Sequence, residues 1–151
     1  MSARYLGYLT ALVFVLAPNG LAKDDNAAEY KKAEGSWSIT LQESDGEAVP
    51  EAFLKPFRAV MKGDTFTLYN GEKELVAGSY KIVEVKGKRL KYDFTYSSGP
   101  DKGVTMSLLA EWIDDDTYRT CVRVSGKERP TEFTSKQGSG QTVAIYKRAK
   151  K

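Results

Sequence analysis

The chain contains no histidine and only one cysteine, Cys121. Without an imidazole, Ser-His-Asp and Cys-His nucleophile activation are excluded, and so is histidine-ligated zinc or iron. The side chain that most readily acts as a general base near neutral pH is also missing. A lone thiol cannot close a disulfide within the chain. Cys121 is therefore expected either to pack as a small buried residue or to pair between chains. A redox role would need exposure and a lowered pKa, which the neighbouring Arg119 and Arg123 leave open. An excess of one charge is lacking too: 23 Lys and Arg face 20 Asp and Glu. That balance draws neither nucleic acid nor an anionic membrane. The clusters Lys86, Lys88, Arg89, Lys91 and Lys147, Arg148, Lys150, Lys151 read as a solvated hairpin and tail. No nucleophile motif and no internal repeat is present. The chain is expected not to be an enzyme and to carry no cofactor.

Long apolar runs are confined to the N-terminus. Arg4 precedes the apolar stretch 5–17, and Gly20 and Ala22 stand at the two small positions of a cleavage site. This is the layout of a secretory signal peptide, with cleavage expected between Ala22 and Lys23. The stretch falls short of the roughly 20 residues that span a bilayer, so no integral membrane segment is expected after cleavage. The expected localisation is periplasmic or secreted. No Cys follows the stretch to accept a bacterial lipid anchor.

Residues 23–33 read as a linker or helical lead-in, and 34–151 as one domain. From Gly35 onward, short alternating segments are separated by turn residues. Strands are expected at 36–42, 57–62, 65–69, 75–84, 89–97, 103–113, 117–124 and 142–148, and a helical segment only at 47–55. The separators carry turn chemistry, as in Asp45-Gly46, Asn70-Gly71 and Gly99-Pro100-Asp101. Alternation is clear in several strands: Trp37, Ile39, Leu41 share a face of the first; Tyr92, Phe94, Tyr96 of the fifth; Val104, Met106, Leu108, Ala110, Trp112 of the sixth. On the seventh, Tyr118, Thr120, Val122 and Val124 oppose Arg119, Cys121 and Arg123. Eight such strands bury one face by closing into an antiparallel up-and-down β-barrel, which also removes exposed edges. A β-sandwich is the alternative.

A barrel of this size is either filled by its own side chains or holds one small ligand. Trp37, Phe66, Leu68, Tyr80, Phe94, Tyr96, Met106, Leu108 and Trp112 are the bulky inward candidates, with Ala110 the one small residue among them. The ligand-binding candidates are Tyr80, Tyr92, Phe94, Tyr96, Met106, Trp112 and Thr120. They predict a small cavity, at the end away from Trp37, for a compact apolar or aromatic molecule and not a long lipid. The alternative is a filled barrel acting through its surface as an envelope-associated interaction or structural domain. Asp114, Asp115 and Asp116 offer adjacent carboxylates, but one acidic turn lacks the ligand number and spacing of a calcium site. Arg129 is expected to tie its loop to the barrel end, through backbone carbonyls or Glu132, more than to clamp a carboxylate ligand.

Gly35-Ser36-Trp37 is the G-x-W that opens many lipocalin-type barrels. The longer match runs through Asp45-Gly46, Val49-Pro50, Lys62-Gly63-Asp64 and Ser98-Gly99-Pro100-Asp101-Lys102-Gly103. It continues with Cys121, Gly126-Lys127-Glu128-Arg129-Pro130-Thr131-Glu132-Phe133, Gly138-Ser139-Gly140 and Lys147-Arg148. Together these segments resemble a family of secreted lipocalin-like domains abundant in planctomycete bacteria. The resemblance implies a barrel and export, and no activity. It also implies that Trp37 lies across the barrel floor under a basic residue from the last strand, Arg148 or, failing that, Lys147. A guanidinium suits that place, because it stacks on an indole while its donors bind carbonyls.

Overall fold

The computed structural model describes residues 26–123 and 128–150. The expected leader and its expected junction at Ala22, together with Val124, Gly126, Lys127 and Lys151, lie outside the described residues. In chain order the elements are α1 (Ala27–Ala33), β1 (Gly35–Ser44), β2 (Glu47–Ala48), α2 (Glu51–Leu54), β3 (Phe57–Lys62), β4 (Thr65–Asn70) and β5 (Lys73–Lys86). Then follow β6 (Arg89–Tyr96), β7 (Thr105–Asp114), β8 (Thr117–Arg123) and β9 (Gln141–Arg148). Each of the eight expected segments is a strand. Strands β1 and β3 to β9 pair antiparallel in chain order, and β9 returns to pair with β1, so the sheet closes into an eight-stranded barrel. The short β2 pairs only with β1.

The two-residue period explains most of the interior. Tyr80, Ile82, Leu90, Phe94, Ala110, Trp112 and Tyr118 are buried in one cluster with Trp37, Ala59 and Met61. Aromatic rings dominate it. Trp37 meets Tyr118 edge-on at 4.7 Å, Tyr118 stacks on Tyr146 at 4.7 Å, and Phe94 is flanked edge-on by Phe66 at 4.8 Å and Tyr96 at 4.7 Å. Each such pair adds about 0.5–1.5 kcal/mol beyond area burial.

The structure departs from the alternating pattern where the ladder is irregular. A register shift between Ile39 and Leu41 turns the end of β1 over, so Leu41 is exposed and Gln42 points inward instead. A one-residue bulge has this effect because side chains alternate with period two. Val104 precedes β7 and is also exposed, not inward. The helical segment expected at 47–55 is a single turn, α2, preceded by the β2 pairing; Pro50 stands directly before it.

Two segments outside the strands cover the barrel. Helix α1 is packed against the floor, so residues 26–33 belong to the folded unit and are not a free linker. Its sequence favours a helix: Ala and Lys are good formers, Glu29 lies in the first turn, and Lys31 and Lys32 lie in the last, matching the helix dipole. Residues 128–136 run along the outer wall. There Phe133 lies under Arg119 at 4.1 Å and near Arg89 at 5.8 Å, and both arginines pair with Glu111. This strap buries Cys121 on the outward face of β8, with its thiol on the Thr134 carbonyl at 3.7 Å. Burial raises the Cys121 pKa.

Candidate ligand cavity

The floor of the barrel is built first, because it decides which end is free. Trp37 is fully buried and its indole N–H donates to the Ala33 carbonyl at 2.8 Å. The Arg148 guanidinium lies over the ring at 4.2 Å. Its nitrogens donate to the carbonyls of Glu34 at 2.7 Å, Lys32 at 2.9 Å and Asp115 at 3.2 Å, and to the Asp116 carboxylate at 2.8 Å. Arg148 occupies the covering position, and Lys147 on the same strand is exposed. The acidic turn is drawn into this floor as well. Asp115 pairs with Lys32 at 3.3 Å, and Asp114 accepts from the Asp116 amide at 2.8 Å. Among the described residues no group of three His, Cys, Asp or Glu is placed to hold a metal. Helix α1 completes the closure. Tyr30 packs on Tyr80 at 5.2 Å and accepts from the Ile82 amide at 2.9 Å, while Glu29 accepts from the Trp112 indole at 2.9 Å.

Above the floor lies a cavity of about 190 Å³. It extends from Met61 and Tyr118 towards the opposite end of the barrel, where Gln42, Val122 and Thr142 border it. Six of the seven expected ligand-binding residues line it: Tyr80, Tyr92, Phe94, Tyr96, Met106 and Thr120. Trp112 does not. The inward face of β7 brings it down beside Trp37 at 5.9 Å, where its ring carries Lys32 at 4.5 Å, so it is part of the floor. Tyr146, Tyr118 and Gln42 line the cavity and were not among the candidates. Gln42 was hidden by the bulge, whereas the last-strand alternation of Thr142, Ala144 and Tyr146 carries a readable signal.

No lining residue carries a formal charge. Polarity comes from hydroxyls. Burial raises the pKa of Tyr80, Tyr92, Tyr96 and Tyr118, and takes Tyr146 up to about 12 even though Thr120 acts on it in the opposite sense. All five phenols are therefore neutral hydrogen-bonding groups at ordinary pH. Tyr80 donates to the Gly63 carbonyl at 2.9 Å, Tyr96 to the Met106 sulfur at 3.3 Å and Tyr118 to the Met61 sulfur at 3.8 Å.

Arg129 and Glu132 lie elsewhere. Arg129 binds the outer wall, donating to the carbonyls of Tyr92 at 2.8 Å and Leu108 at 2.6 Å and to the Asp93 carboxylate at 2.6 Å. It ties the strap to β6 and β7 instead of the barrel end. Glu132 is exposed and, among the described residues, makes no pair with it. Asp93 takes that role because it projects outward from β6 beside the strap. No helix among the described residues is long and apolar enough to cross a membrane. No protein-family model, curated protein or solved structure matches this chain.

Proposed function

We propose that the protein is an exported, non-enzymatic barrel of lipocalin-like type that binds a compact apolar or aromatic molecule in its interior. One observation carries the reading: a ring-lined cavity of about 190 Å³ above the floor that Trp37 and Arg148 build. Sites for drug-sized ligands occupy about 300–1,000 Å³, whereas a dry apolar cavity of about 150 Å³ takes one benzene. The space therefore suits a single ring with a short substituent and is too small for a fatty-acid chain. The closed barrel is compatible with the lipocalin-like resemblance of Trp37, residues 98–103 and residues 126–133. Export is supported by Arg4, the apolar stretch 5–17 and Ala22. The absence of histidine supports a binding role over a catalytic one.

The test is solvent extraction and mass spectrometry of protein purified from its native host, together with titration by a panel of hydrophobic probes. Saturable binding of one-ring compounds is expected. Tight saturable binding of a long-chain fatty acid would refute the size argument. Failure of every probe would favour a filled barrel that acts through its surface. N-terminal sequencing of the exported chain should begin at Lys23.

A further inference from the structure

We infer that the cavity selects neutral ring compounds carrying a hydrogen-bond acceptor, such as an aryl ketone, lactone or similar carbonyl compound, with Tyr92 as the donor that recognises it. The inference rests on the binding reading above and specifies its chemistry. Three cavity hydroxyls are already spent inside the protein: Tyr80 on the Gly63 carbonyl, Tyr96 on Met106 and Tyr118 on Met61. Tyr92 differs. It lines the cavity from β6, packs against Tyr80 at 5.8 Å, and among the described residues its hydroxyl has no hydrogen-bond partner. Among the described residues the fully buried atoms without a partner are Ser36 Oγ and Arg123 Nε, so the Tyr92 hydroxyl meets open space, where an acceptor on a bound molecule can take its hydrogen in place of water. Thr120 and Tyr146 stand in the same lining. Tyr92 is thus the unspent phenol donor of the lining.

Charge narrows the class further. With no charged residue in the lining, a carboxylate or ammonium would be buried without a counter-charge, which is strongly unfavourable. The Arg148 guanidinium cannot serve, since it lies at the floor with its nitrogens on Lys32, Glu34, Asp115 and Asp116. The thioethers of Met61 and Met106 and the rings of Phe66 and Phe94 leave an apolar body for the ligand's ring.

The experiment compares acetophenone, ethylbenzene and benzoate, three one-ring probes of similar size, on wild type and Tyr92→Phe by calorimetry at neutral pH. Tyr92→Phe removes only the unpartnered hydroxyl, so its melting temperature should stay close to that of wild type. Acetophenone affinity should fall about tenfold in the variant, the value of one hydrogen bond. Ethylbenzene affinity should stay unchanged, and benzoate should not bind wild type. A control variant away from the cavity, Tyr69→Phe, should leave the acetophenone affinity within about twofold, because Tyr69 packs against Arg58 and does not line the cavity. Equal changes for ketone and hydrocarbon on Tyr92→Phe would overturn the acceptor inference while leaving the cavity a binding site. Benzoate binding as tight as that of acetophenone would overturn neutrality. If neither neutral probe binds wild type, the binding reading fails and the inference falls with it.

Discussion

Arg148 is the sharpest mechanical test of this barrel. Its guanidinium covers Trp37 at 4.2 Å and gathers the carbonyls of Lys32, Glu34 and Asp115 with the carboxylate of Asp116. These contacts are not equal. Asp116 is largely solvated, so that ion pair contributes little. The stacking on a buried indole is worth about 1–2 kcal/mol, and the hydrogen bonds to the α1 carbonyls add about 1–2 kcal/mol net. Arg148→Ala should therefore cost about 2–4 kcal/mol. Arg148→Lys keeps the charge but loses the planar fork, so it should lose about half as much. Urea unfolding of the three proteins reads this as a lower midpoint at unchanged slope. In the alanine variant, tryptophan emission should shift to the red as Trp37 meets water, and the Trp37 indole N–H should exchange faster as α1 loosens. If both variants stay within about 0.5 kcal/mol of wild type, the floor is held by strand pairing alone and the argument is wrong. If only the alanine variant loses stability, charge is sufficient and the stacked fork is irrelevant.

Alkali should unfold the protein early. Tyr146 ionises near pH 10 when unfolded but at about 12 when folded, so the unfolded state releases its proton first. Stability is whole below about pH 10 and falls as pH rises through the folded value, by on the order of 3 kcal/mol for this residue, with Tyr80, Tyr92 and Tyr118 acting in the same direction. Circular dichroism and the Tyr146 phenolate signal, read as the difference between wild type and Tyr146→Phe, should change together, and a Tyr146 phenolate formed near pH 10 in a still-folded chain would contradict it. Gly78→Ala should cost about 2–4 kcal/mol, because a Cβ there would overlap the Thr95 carbonyl oxygen and come within 2.6 Å of the Phe94 ring; a wild-type-like urea midpoint would refute the tight packing at that crossing. Cys121, fully buried under the strap, should react with a thiol reagent only at the rate of unfolding, and prompt labelling of native protein would show the strap open.

The strands were legible because each one obeys a local rule. A period of two and Gly- or Asn-bearing turns mark segments such as β6 without reference to the rest of the chain. Long-range packing was legible only where a motif encodes it, as Trp37 and Arg148 do. The features that escaped are settled by partners distant in sequence. Leu41 faces outward because the ladder to β9 slips beside it, and nothing local announces that slip. Cys121 is buried, as one of its two expected fates, but its cover escaped: residues 128–136 fold back over its face. Trp112 obeys the alternation faithfully, yet its height along the barrel puts it in the floor and not the cavity. Facing inward is a property of a strand; lining a cavity depends on the position along the barrel axis.

Closure of β9 onto β1, with α1 across the floor, also settles how this molecule can be attached to anything else. Asn26 reaches the Ile82 carbonyl at 3.4 Å beside the floor, and Lys150 follows Arg148 at the same pole. Gln42, Val122 and Thr142 ring the other pole. A tether, fusion partner or solid support joined through either end of the described chain therefore pulls from beneath and leaves the opening facing away from the attachment. For the same reason a short peptide could join the two ends across the floor. New ends could then be cut at an exposed hairpin without interrupting the lining.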